Sequence, residues 1–300
     1  MDWLNYALPT GWLTYILPME WLVYILPETQ LIYLCEQAEA RNTVINRVEG
    51  GNHVLRISDK IAVKRGFGVL PGEVATQKYA NQHLNRRVVR VPQVYRYFQV
   101  PDQIDPSWPE GYLFMEYIPG QTLEELELSS AVDITKRLAD VVSELGKVTG
   151  TGDGIPGSPI GSRRLIGYLF GDEGTSEAIC SVDDLNHWIN KRLKFTNDTI
   201  DLRSYPLVLC HLDFCRRNIK LMEDNSICLL DWGHAGFFPR FYEVAAVSCY
   251  NDKLPYIESL RQAIAKTMEL SDGEQECVKL LTRARALSLR HSLVLACLLM

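Results

Sequence analysis

The chain has 300 residues, of which 47% are hydrophobic and 23% are charged, proportions typical of a globular protein with an ordinary core. Its formal net charge of −6 argues against nucleic-acid binding, because proteins that bind nucleic acids usually carry a basic balance. The first residues lack the basic segment and cleavage site of a secretory signal, and no apolar run approaches the roughly 20 residues of a membrane-spanning helix.

The eight cysteines are spread along the chain, without a CxxC pair or the Cys/His spacing of a zinc site. Several lie in apolar runs, which favours buried free thiols in a reducing compartment. We therefore expect a cytoplasmic protein with neither a nucleic-acid partner nor a transmembrane segment.

Residues 1–40 form an N-terminal extension that begins with three similar units, WLNYALP, WLTYILP and WLVYILP. The positions that recur every nine residues are Trp3, Trp12 and Trp21, Tyr6, Tyr15 and Tyr24, and Pro9, Pro18 and Pro27. A proline in each unit argues against one continuous helix. Two interpretations remain, an arm for peripheral contact with a membrane or a partner, or an extension packed on the domain. The near absence of Lys and Arg weakens the membrane interpretation.

Residues 41–117 are predicted to form a small β-rich lobe. Strand patterns occupy 43–58, 61–66, 91–100 and 111–118, and a helical pattern occupies 72–84. Gly50, Gly51 and Asn52 supply a hairpin turn in the first of these segments.

Residues 118–300 are predicted to form a larger, mainly helical lobe. Helical patterns begin near residue 120, where Thr122 and Glu125 match a capping box, and recur at 130–148 and 181–195. A loop rich in Gly, Pro and Ser covers 149–162, and short strands are predicted at 207–213 and 226–232. The expected fold class is therefore α+β, in two lobes.

Polar residues interrupt the apolar stretch HLDFCRRNIKLMEDNSICLLDWG, residues 211–233. They include His211, Asp213, Asn218 and Asp231. Two carboxylates beside segments that look buried are costly unless a cation lies between them. Asp and Asn oxygens suit Mg²⁺, which prefers a phosphate as co-ligand. The pattern favours a Mg²⁺–nucleotide site, with Asp213 placed to accept a proton from an attacking hydroxyl.

Phosphoryl transfer also needs a cation that holds the nucleotide, on a strand and paired with a glutamate on the next helix. Lys64 in IAVKRG and Glu73 in GEVATQKYA precede the HxDxxxxN segment and the Asp-Trp pair in that order. The order of these elements, more than any one of them, indicates kinase chemistry.

Together these motifs resemble the aminoglycoside phosphotransferase family of the protein-kinase-like fold, in particular its fungal members. HLDFCRRNI is similar to the family's HxDxxxxN catalytic loop, and LLDWGHAGFFPRFYE to its metal-binding Asp-Trp followed by A-G-x-x-P-x-x-x-E. VPQV and LFMEYIPGQTL are similar to the strand before the hinge and to the hinge itself. The resemblance covers roughly residues 43–250.

The resemblance implies a two-lobed protein-kinase-like fold, with nucleotide binding in the N-lobe and the catalytic loop, metal site and acceptor site in the C-lobe. It implies transfer of the γ-phosphate of ATP to a hydroxyl of a small molecule, with Mg²⁺ as cofactor. Asp213 would be the catalytic base in a loop that also contains His211 and Asn218. Asn218 and Asp231 would hold Mg²⁺.

The same resemblance assigns the nucleotide contacts to the first lobe. Lys64 would contact the phosphates, and Glu73 would orient Lys64. The other residues implied are Glu116, Tyr117 and Ile118, whose main chain would bind adenine, and Glu49, Gly50, Gly51 and Asn52, which would cover the phosphates.

Several positions carry more than one interpretation. Leu212 stands where the family usually has Gly, which leaves the backbone bend before Asp213 open. His211 is expected to bond the backbone near the metal-binding Asp, more than to shuttle protons. Arg216 and Arg217 are adjacent, so one could reach a phosphate or acidic substrate, or both could form a solvated surface pair. The loop 149–162 either lines the acceptor site or is a solvent loop.

Three alternative functions remain beside the small-molecule kinase. The first is a catalytically weak pseudokinase that binds nucleotide or a partner, and the second is a kinase acting on protein side chains. The lack of an APE-type activation segment after Asp231 disfavours the second. The third is a membrane-associated or scaffold protein that acts through the repeat in residues 1–40.

Overall fold

The computed structural model describes residues 18–47, 51–127, 131–150, 153–160, 163–171, 174–250 and 255–298. Glu49, Gly50 and nearly all of the first two repeat units lie outside these residues. The chain divides into two compact units. The first comprises the described residues up to Val74 together with Pro92–Pro119, and the second comprises Ala75–Val91 together with the described residues from Gly120 onward.

An antiparallel sheet of five strands, in the order β1-β2-β3-β5-β4, forms the centre of the first unit. The strands are β1 Val44–Arg47, β2 His53–Arg56, β3 Ile61–Gly66, β4 Val94–Val100 and β5 Glu110–Glu116. Because side chains alternate along a strand, Ile61 and Val63 face one side of the sheet and Lys64 faces the other.

Two helices, α1 Met19–Ile25 and α2 Glu28–Ala40, cover the side of the sheet that carries Val63. The prediction that proline interrupts the segment is confirmed, because α1 ends and α2 begins on either side of Pro27. The Arg96 guanidinium on β4 donates to the Val23 and Leu26 carbonyls at 3.2 and 2.7 Å, which satisfies acceptors at the end of α1. The third repeat unit therefore packs on the sheet.

The other side of the sheet holds a smaller apolar cluster of Val69, Val74, Val94 and Leu113. Lys64 lies opposite Leu113 in the pairing of β3 with β5, so it shares this side. Helix α3, Pro71–His83, begins here and carries Glu73 in its first turn. The fold thus brings Lys64 and Glu73 to one face of one unit.

The second unit contains five further helices around two apolar clusters. They are α4 Ala131–Leu145, α5 Val182–Leu193, α6 Tyr242–Val247, α7 Pro255–Met268 and α8 Asp272–Leu298. One cluster lies between α4 and α7, and the other joins α5, α6 and α8. Helix α6 contributes to both clusters, which fixes the position of its polar residue Glu243 between them.

Two small antiparallel sheets hold the polar loops of the second unit. Strand β7 Leu207–Cys210 pairs with β10 Gly236–Pro239, and β8 Ile219–Leu221 pairs with both β6 Gln121–Thr122 and β9 Ile227–Leu229. Part of the loop at 149–162 is also paired, since Gly157 and Phe237 exchange main-chain hydrogen bonds of 3.0 and 2.8 Å.

The prediction of a helix from residue 120 is wrong for residues 121–127, which form strand β6 followed by turns. Glu125 Oε2 accepts the Thr122 N–H at 2.6 Å, as the capping box requires, but these bonds close a turn. The reason is tertiary, because the Leu123 N–H donates to the Ile219 carbonyl at 2.9 Å and draws the chain onto β8.

None of the helices within the described ranges is long and apolar enough to cross a membrane.

Candidate active site

The HxDxxxxN segment connects two strands that are each anchored in a sheet of the second unit. Strand β7 ends at Cys210, and residues 216–218 form one 3₁₀ turn that leads into β8. His211, Asp213 and Asn218 are all buried. The apolar residues between them explain this burial, because Leu212 and Phe214 pack into the two clusters of the unit.

The backbone bends at Leu212, which has a φ of 62° in the left-handed region that favours glycine. Glu243 on α6 holds the bend, because its Oε2 accepts the His211 N–H and its Oε1 accepts the Leu212 N–H, both at 2.7 Å. Burial raises the pKa of Glu243 to about 7, against the opposing effect of these two hydrogen bonds. The chain therefore bends at position 212 although the residue there is leucine and not glycine.

His211 has a single tautomer that satisfies both of its ring contacts. Its Nε2 lies 3.0 Å from the Leu230 carbonyl, which only accepts, and its Nδ1 lies 3.3 Å from the Asp213 N–H, which only donates. Nε2 therefore carries the proton, and burial lowers the pKa of His211, which favours this neutral form. The ring thus connects Leu230, the residue before Asp231, to the backbone of the HxDxxxxN loop.

Asn218 makes the second connection between the same two segments. Its main-chain carbonyl accepts the Leu230 N–H at 2.8 Å, and its Nδ2 donates to the Asp213 carbonyl at 3.4 Å. Because Nδ2 serves the loop, Oδ1 is the atom that this side chain offers to a cation.

The Asp213 carboxylate is the chemically distinctive group of the loop. Its Oδ1 is buried and has no hydrogen-bond partner within the described part of the chain. Its Oδ2 lies 3.8 Å from Arg217 Nη2 and 3.8 Å from His234 Nδ1. Buried polar oxygens are nearly always hydrogen-bonded in folded proteins, so Oδ1 has the capacity to accept a hydrogen bond from a ligand.

The prediction that both aspartates face the interior is wrong for Asp231, whose side chain is exposed. Strand β9 ends at Leu229, and Asp231 adopts a φ of 59°, which turns the chain. Trp232 takes the interior position instead. Its indole N–H donates to the Leu229 carbonyl at 3.3 Å, and its ring packs edge-on against His211.

The donor set fits Mg²⁺. Asn218 is buried and carries an amide oxygen, and Asp231 presents an exposed carboxylate whose Oδ1 accepts the Gly233 N–H at 3.3 Å. Across the described ranges no three His, Cys, Asp or Glu side chains cluster as a metal site. Mg²⁺ does not need such a cluster, because one or two protein oxygens, phosphates and water commonly complete its shell.

Lys64 and Glu73 form a buried ion pair in the first unit. The Lys64 Nζ lies 2.7 Å from Glu73 Oε1, and the two side chains are only 8% and 2% exposed. A charge-assisted bond of this length fixes the direction of the lysine side chain.

The residues implied for adenine follow β5 in the first unit. The Glu116 N–H donates to the Gln93 carbonyl and the Tyr117 N–H donates to the Lys60 carbonyl, both at 2.8 Å. These two main-chain donors therefore serve the unit's own backbone. Ile118 is buried.

Gly51 and Asn52 precede β2, while Glu49 and Gly50 lie outside the described residues. The Asn52 Oδ1 accepts the Gly68 N–H at 3.1 Å. Gly66 has a φ of +143°, which residues with a side chain rarely adopt, and a Cβ there would stand only 2.5 Å from the same oxygen. The turn at 66–68 thus anchors the chain next to Gly51.

The sequence predictions assign no role to three residues of the site, Glu243, Tyr168 and His234. Glu243 closes the A-G-x-x-P-x-x-x-E run, but its partners are main-chain groups about thirty residues away, which no local pattern reveals. Tyr168 lies in a loop, and its hydroxyl is 3.5 Å from Arg217 Nη2.

Comparison with known proteins places these features in a family. The family described as phosphotransferase enzyme family, APH, matches residues 38–275. A search of curated proteins gives no match.

The chain is also similar to solved structures of one enzyme. The crystal structure of aminoglycoside phosphotransferase APH(4)-Ia shares 15% identity over 86% of this chain and 90% of that one, with a TM-score of 0.53. A thermostable mutant of it, in ternary complex with AMP-PNP and hygromycin B, shares 15% identity over 82% and 83% of the two chains, with a TM-score of 0.54.

At such low identity these structures establish the fold, and the predicted α+β fold of the protein-kinase-like class, with an antiparallel N-terminal sheet and a helical C-terminal part, is confirmed. The family match spans most of the chain and includes the HxDxxxxN loop and the Asp-Trp pair. The protein belongs to the phosphotransferase enzyme family.

Proposed function

We propose that this protein transfers the γ-phosphate of ATP to a hydroxyl group of a small molecule. The observation that carries the proposal is the buried Asp213 carboxylate, whose Oδ1 has no hydrogen-bond partner in the described structure and which lies in the HxDxxxxN loop of a phosphotransferase family member. An attacking hydroxyl supplies the proton that this oxygen is placed to accept. ATP is proposed because a similar structure is a complex with AMP-PNP.

In the proposed step, the acceptor oxygen forms a bond to the γ-phosphorus as its proton moves to Asp213. The bond from the γ-phosphorus to the bridging oxygen breaks, and the electron pair stays with ADP. Asn218 and Asp231 are proposed to hold Mg²⁺, which when bound would neutralise phosphate charge. His211 and Glu243 keep the loop in shape without touching substrate.

The first unit is proposed to supply the nucleotide contacts. Lys64, oriented by Glu73, would contact phosphates, and the segment around Gly50 and Gly51 would cover them. The main chain near Glu116, Tyr117 and Ile118 would bind adenine through groups other than the Glu116 and Tyr117 N–H, which donate to Gln93 and Lys60. We assign this role to residues 41–117, and the catalytic and acceptor sites to residues 118–300.

The test is Asp213→Asn in the full-length chain, assayed with radiolabelled ATP against a panel of hydroxyl compounds and against water. Turnover should fall by about 10²–10⁴-fold with a KM for ATP within about twofold, because the variant removes the proton acceptor and keeps the side-chain volume. Asp224→Asn is the matched control, since Asp224 serves a surface turn through Ser226.

Unchanged turnover in Asp213→Asn would refute the assignment of the base. A wild-type chain that binds Mg-ATP but neither hydrolyses it nor transfers phosphate would instead identify a pseudokinase.

A further inference from the structure

Two side chains, Arg217 and His234, flank Asp213 Oδ2, and a third, Tyr168, contacts both of them. We call Tyr168, Arg217 and His234 the acceptor-side cluster. Arg217 Nη2 and His234 Nδ1 each lie 3.8 Å from Oδ2. The Tyr168 hydroxyl lies 3.5 Å from Arg217 Nη2, and the Tyr168 and His234 rings meet edge-on with centroids 5.7 Å apart. The cluster therefore combines a permanent cation, an imidazole and a hydroxyl beside the proposed base.

The cluster is held by specific contacts within the second unit. The Arg285 Nε on α8 donates to the Tyr168 carbonyl, and the Tyr250 ring packs edge-on against Tyr168 at 4.7 Å. Gly167 allows His234 to lie close, because a Cβ there would stand 2.8 Å from the imidazole ring. These contacts show that the fold positions the cluster.

Three buried polar atoms at this place have no hydrogen-bond partner within the described residues. They are Asp213 Oδ1, His234 Nδ1 and the Tyr250 hydroxyl. A buried polar atom without a hydrogen bond lowers the stability of a folded protein. Three such atoms in one place indicate that a ligand supplies their hydrogen bonds.

The exposure of the charged groups gives the direction from which a ligand arrives. The Asp213 side chain is 5% exposed, whereas the Arg217 side chain is 49% exposed. The guanidinium thus lies on the solvent side of the carboxylate. A molecule whose hydroxyl reaches Asp213 Oδ2 therefore comes within reach of this guanidinium.

We propose that the hydroxyl acceptor is an anionic small molecule, and that Arg217, together with Tyr168 and His234, binds its carboxylate or phosphate group. The inference rests on the proposed function, because it names the acceptor class for that site. Arginine presents paired N–H donors that match carboxylate and phosphate oxygens, and it keeps its charge at any physiological pH. An ammonium group on the acceptor would be repelled at the same place.

A polycationic acceptor would require the opposite environment, a dense set of carboxylates. The buried carboxylate nearest in the fold, Glu243, is directed to main-chain N–H groups of the catalytic loop. Arg217 is therefore the permanent cation beside Asp213 that would pair with an anionic acceptor.

The experiment is isothermal titration calorimetry of the full-length chain at low ionic strength, with inorganic phosphate as one probe and acetate as the other. Wild type should bind at least one probe at a single saturable site, and the stronger of the two separates a phosphate-bearing acceptor from a carboxylate-bearing one. Arg217→Gln should weaken binding at least tenfold. Arg217→Lys, which keeps a charge without the paired donors, should retain an intermediate affinity.

Arg203→Gln is the matched control, because Arg203 is an exposed arginine of the same unit that pairs with Asp201. It should bind the probes within twofold of wild type. If neither probe binds, or if Arg217→Gln binds as tightly as wild type, the inference is overturned.

A second titration is done in the presence of saturating Mg-AMP-PNP. Anion binding that persists, and still depends on Arg217, supports an acceptor site separate from the nucleotide. Anion binding that disappears would assign Arg217 to the γ-phosphate and overturn the inference. If the chain binds phosphate through Arg217 but does not bind Mg-AMP-PNP, the proposed function fails while the anion site stands.

Discussion

The Leu212 N–H donates to Glu243 Oε1 at 2.7 Å, so a buried carboxylate holds a leucine in the left-handed backbone region. The second oxygen of the same carboxylate accepts the His211 N–H at 2.7 Å. A residue with a side chain costs roughly 1–2 kcal/mol in this conformation, and two buried hydrogen bonds offset a cost of that size. Glu243 therefore sets the direction in which the chain enters Asp213.

Replacing Glu243 by Gln removes one of the two acceptors, because Nε2 of the amide would face a main-chain N–H. The free energy of unfolding should fall by about 2–3 kcal/mol, the cost of an unsatisfied buried donor together with its lost bond. Urea unfolding measures this change in the free energy of unfolding. Glu258→Gln, an exposed carboxylate that pairs with Arg261 on α7, is the control and should change stability by less than about 1 kcal/mol. Equal stability losses in the two variants would remove Glu243 from this role.

The stability contributed by Glu243 should depend on pH. Burial raises its pKa from 4.5 to about 7, so the native state holds the proton more tightly than the unfolded state. Its contribution is full below pH 4.5 and declines as the pH rises through 7. The stability difference between wild type and Glu243→Gln should shrink over this range and level off above it. A difference that is constant from pH 4.5 to 7 would contradict the pKa direction.

The titration of His211 does not obscure this result. Burial lowers its pKa, so its contribution is present above pH 6.5 and is lost as the pH falls, the opposite sense. Both chains in the comparison retain His211, and its contribution cancels to first order in the difference.

Leu212→Gly tests the balance between backbone strain and packing. Glycine relieves roughly 1–2 kcal/mol of strain. It also removes a buried leucine worth about 2–3 kcal/mol and adds about 1 kcal/mol of unfolded-chain entropy. We expect a net loss of about 2 kcal/mol in unfolding free energy, with the bend and any ATP turnover retained. A gain in stability, or loss of turnover in a folded variant, would show that Leu212 acts otherwise.

Variants of the Lys64–Glu73 pair should distinguish its effect on stability from its effect on nucleotide binding. Lys64→Met leaves Glu73 buried without its ion-pair partner and should cost about 3 kcal/mol, measured by urea unfolding. The double variant Lys64→Met/Glu73→Leu should recover most of this loss, because apolar side chains can replace a buried pair. Both variants should bind Mg-AMP-PNP more weakly than wild type. Wild-type affinity in the double variant would exclude Lys64 as a phosphate contact.

Local patterns were sufficient wherever one strong signal dominated. The run IAVKRG matches strand β3 residue for residue, and proline breaks the repeat segment at Pro27. The order of Lys64, Glu73, the HxDxxxxN segment and the Asp-Trp pair identified the family and its fold. Phosphoryl transfer needs these residue types together, and few other reactions do.

Long-range contacts explain what the patterns missed. Residues 121–127 have helical signals, but hydrogen bonds to β8 outweigh weak local propensity. Asp231 is exposed because its positive φ turns the chain after strand β9. The apolar residues before it in the sequence give no sign of this turn. Glu243 and Tyr168 meet the catalytic loop from distant segments, so their roles depend on topology.

The most direct test of a phosphotransferase site built on Asp213, Asn218 and Asp231 is thermal melting of the full-length chain with Mg-ATP. Ligand at about a hundred times its Kd stabilises the native state by about 2.7 kcal/mol, which corresponds to a rise in Tm of roughly 5 °C. We expect this rise with wild type, a smaller one without Mg²⁺, and a loss of the Mg²⁺-dependent part in Asp231→Ala. An unchanged Tm at millimolar Mg-ATP and above would contradict the assignment.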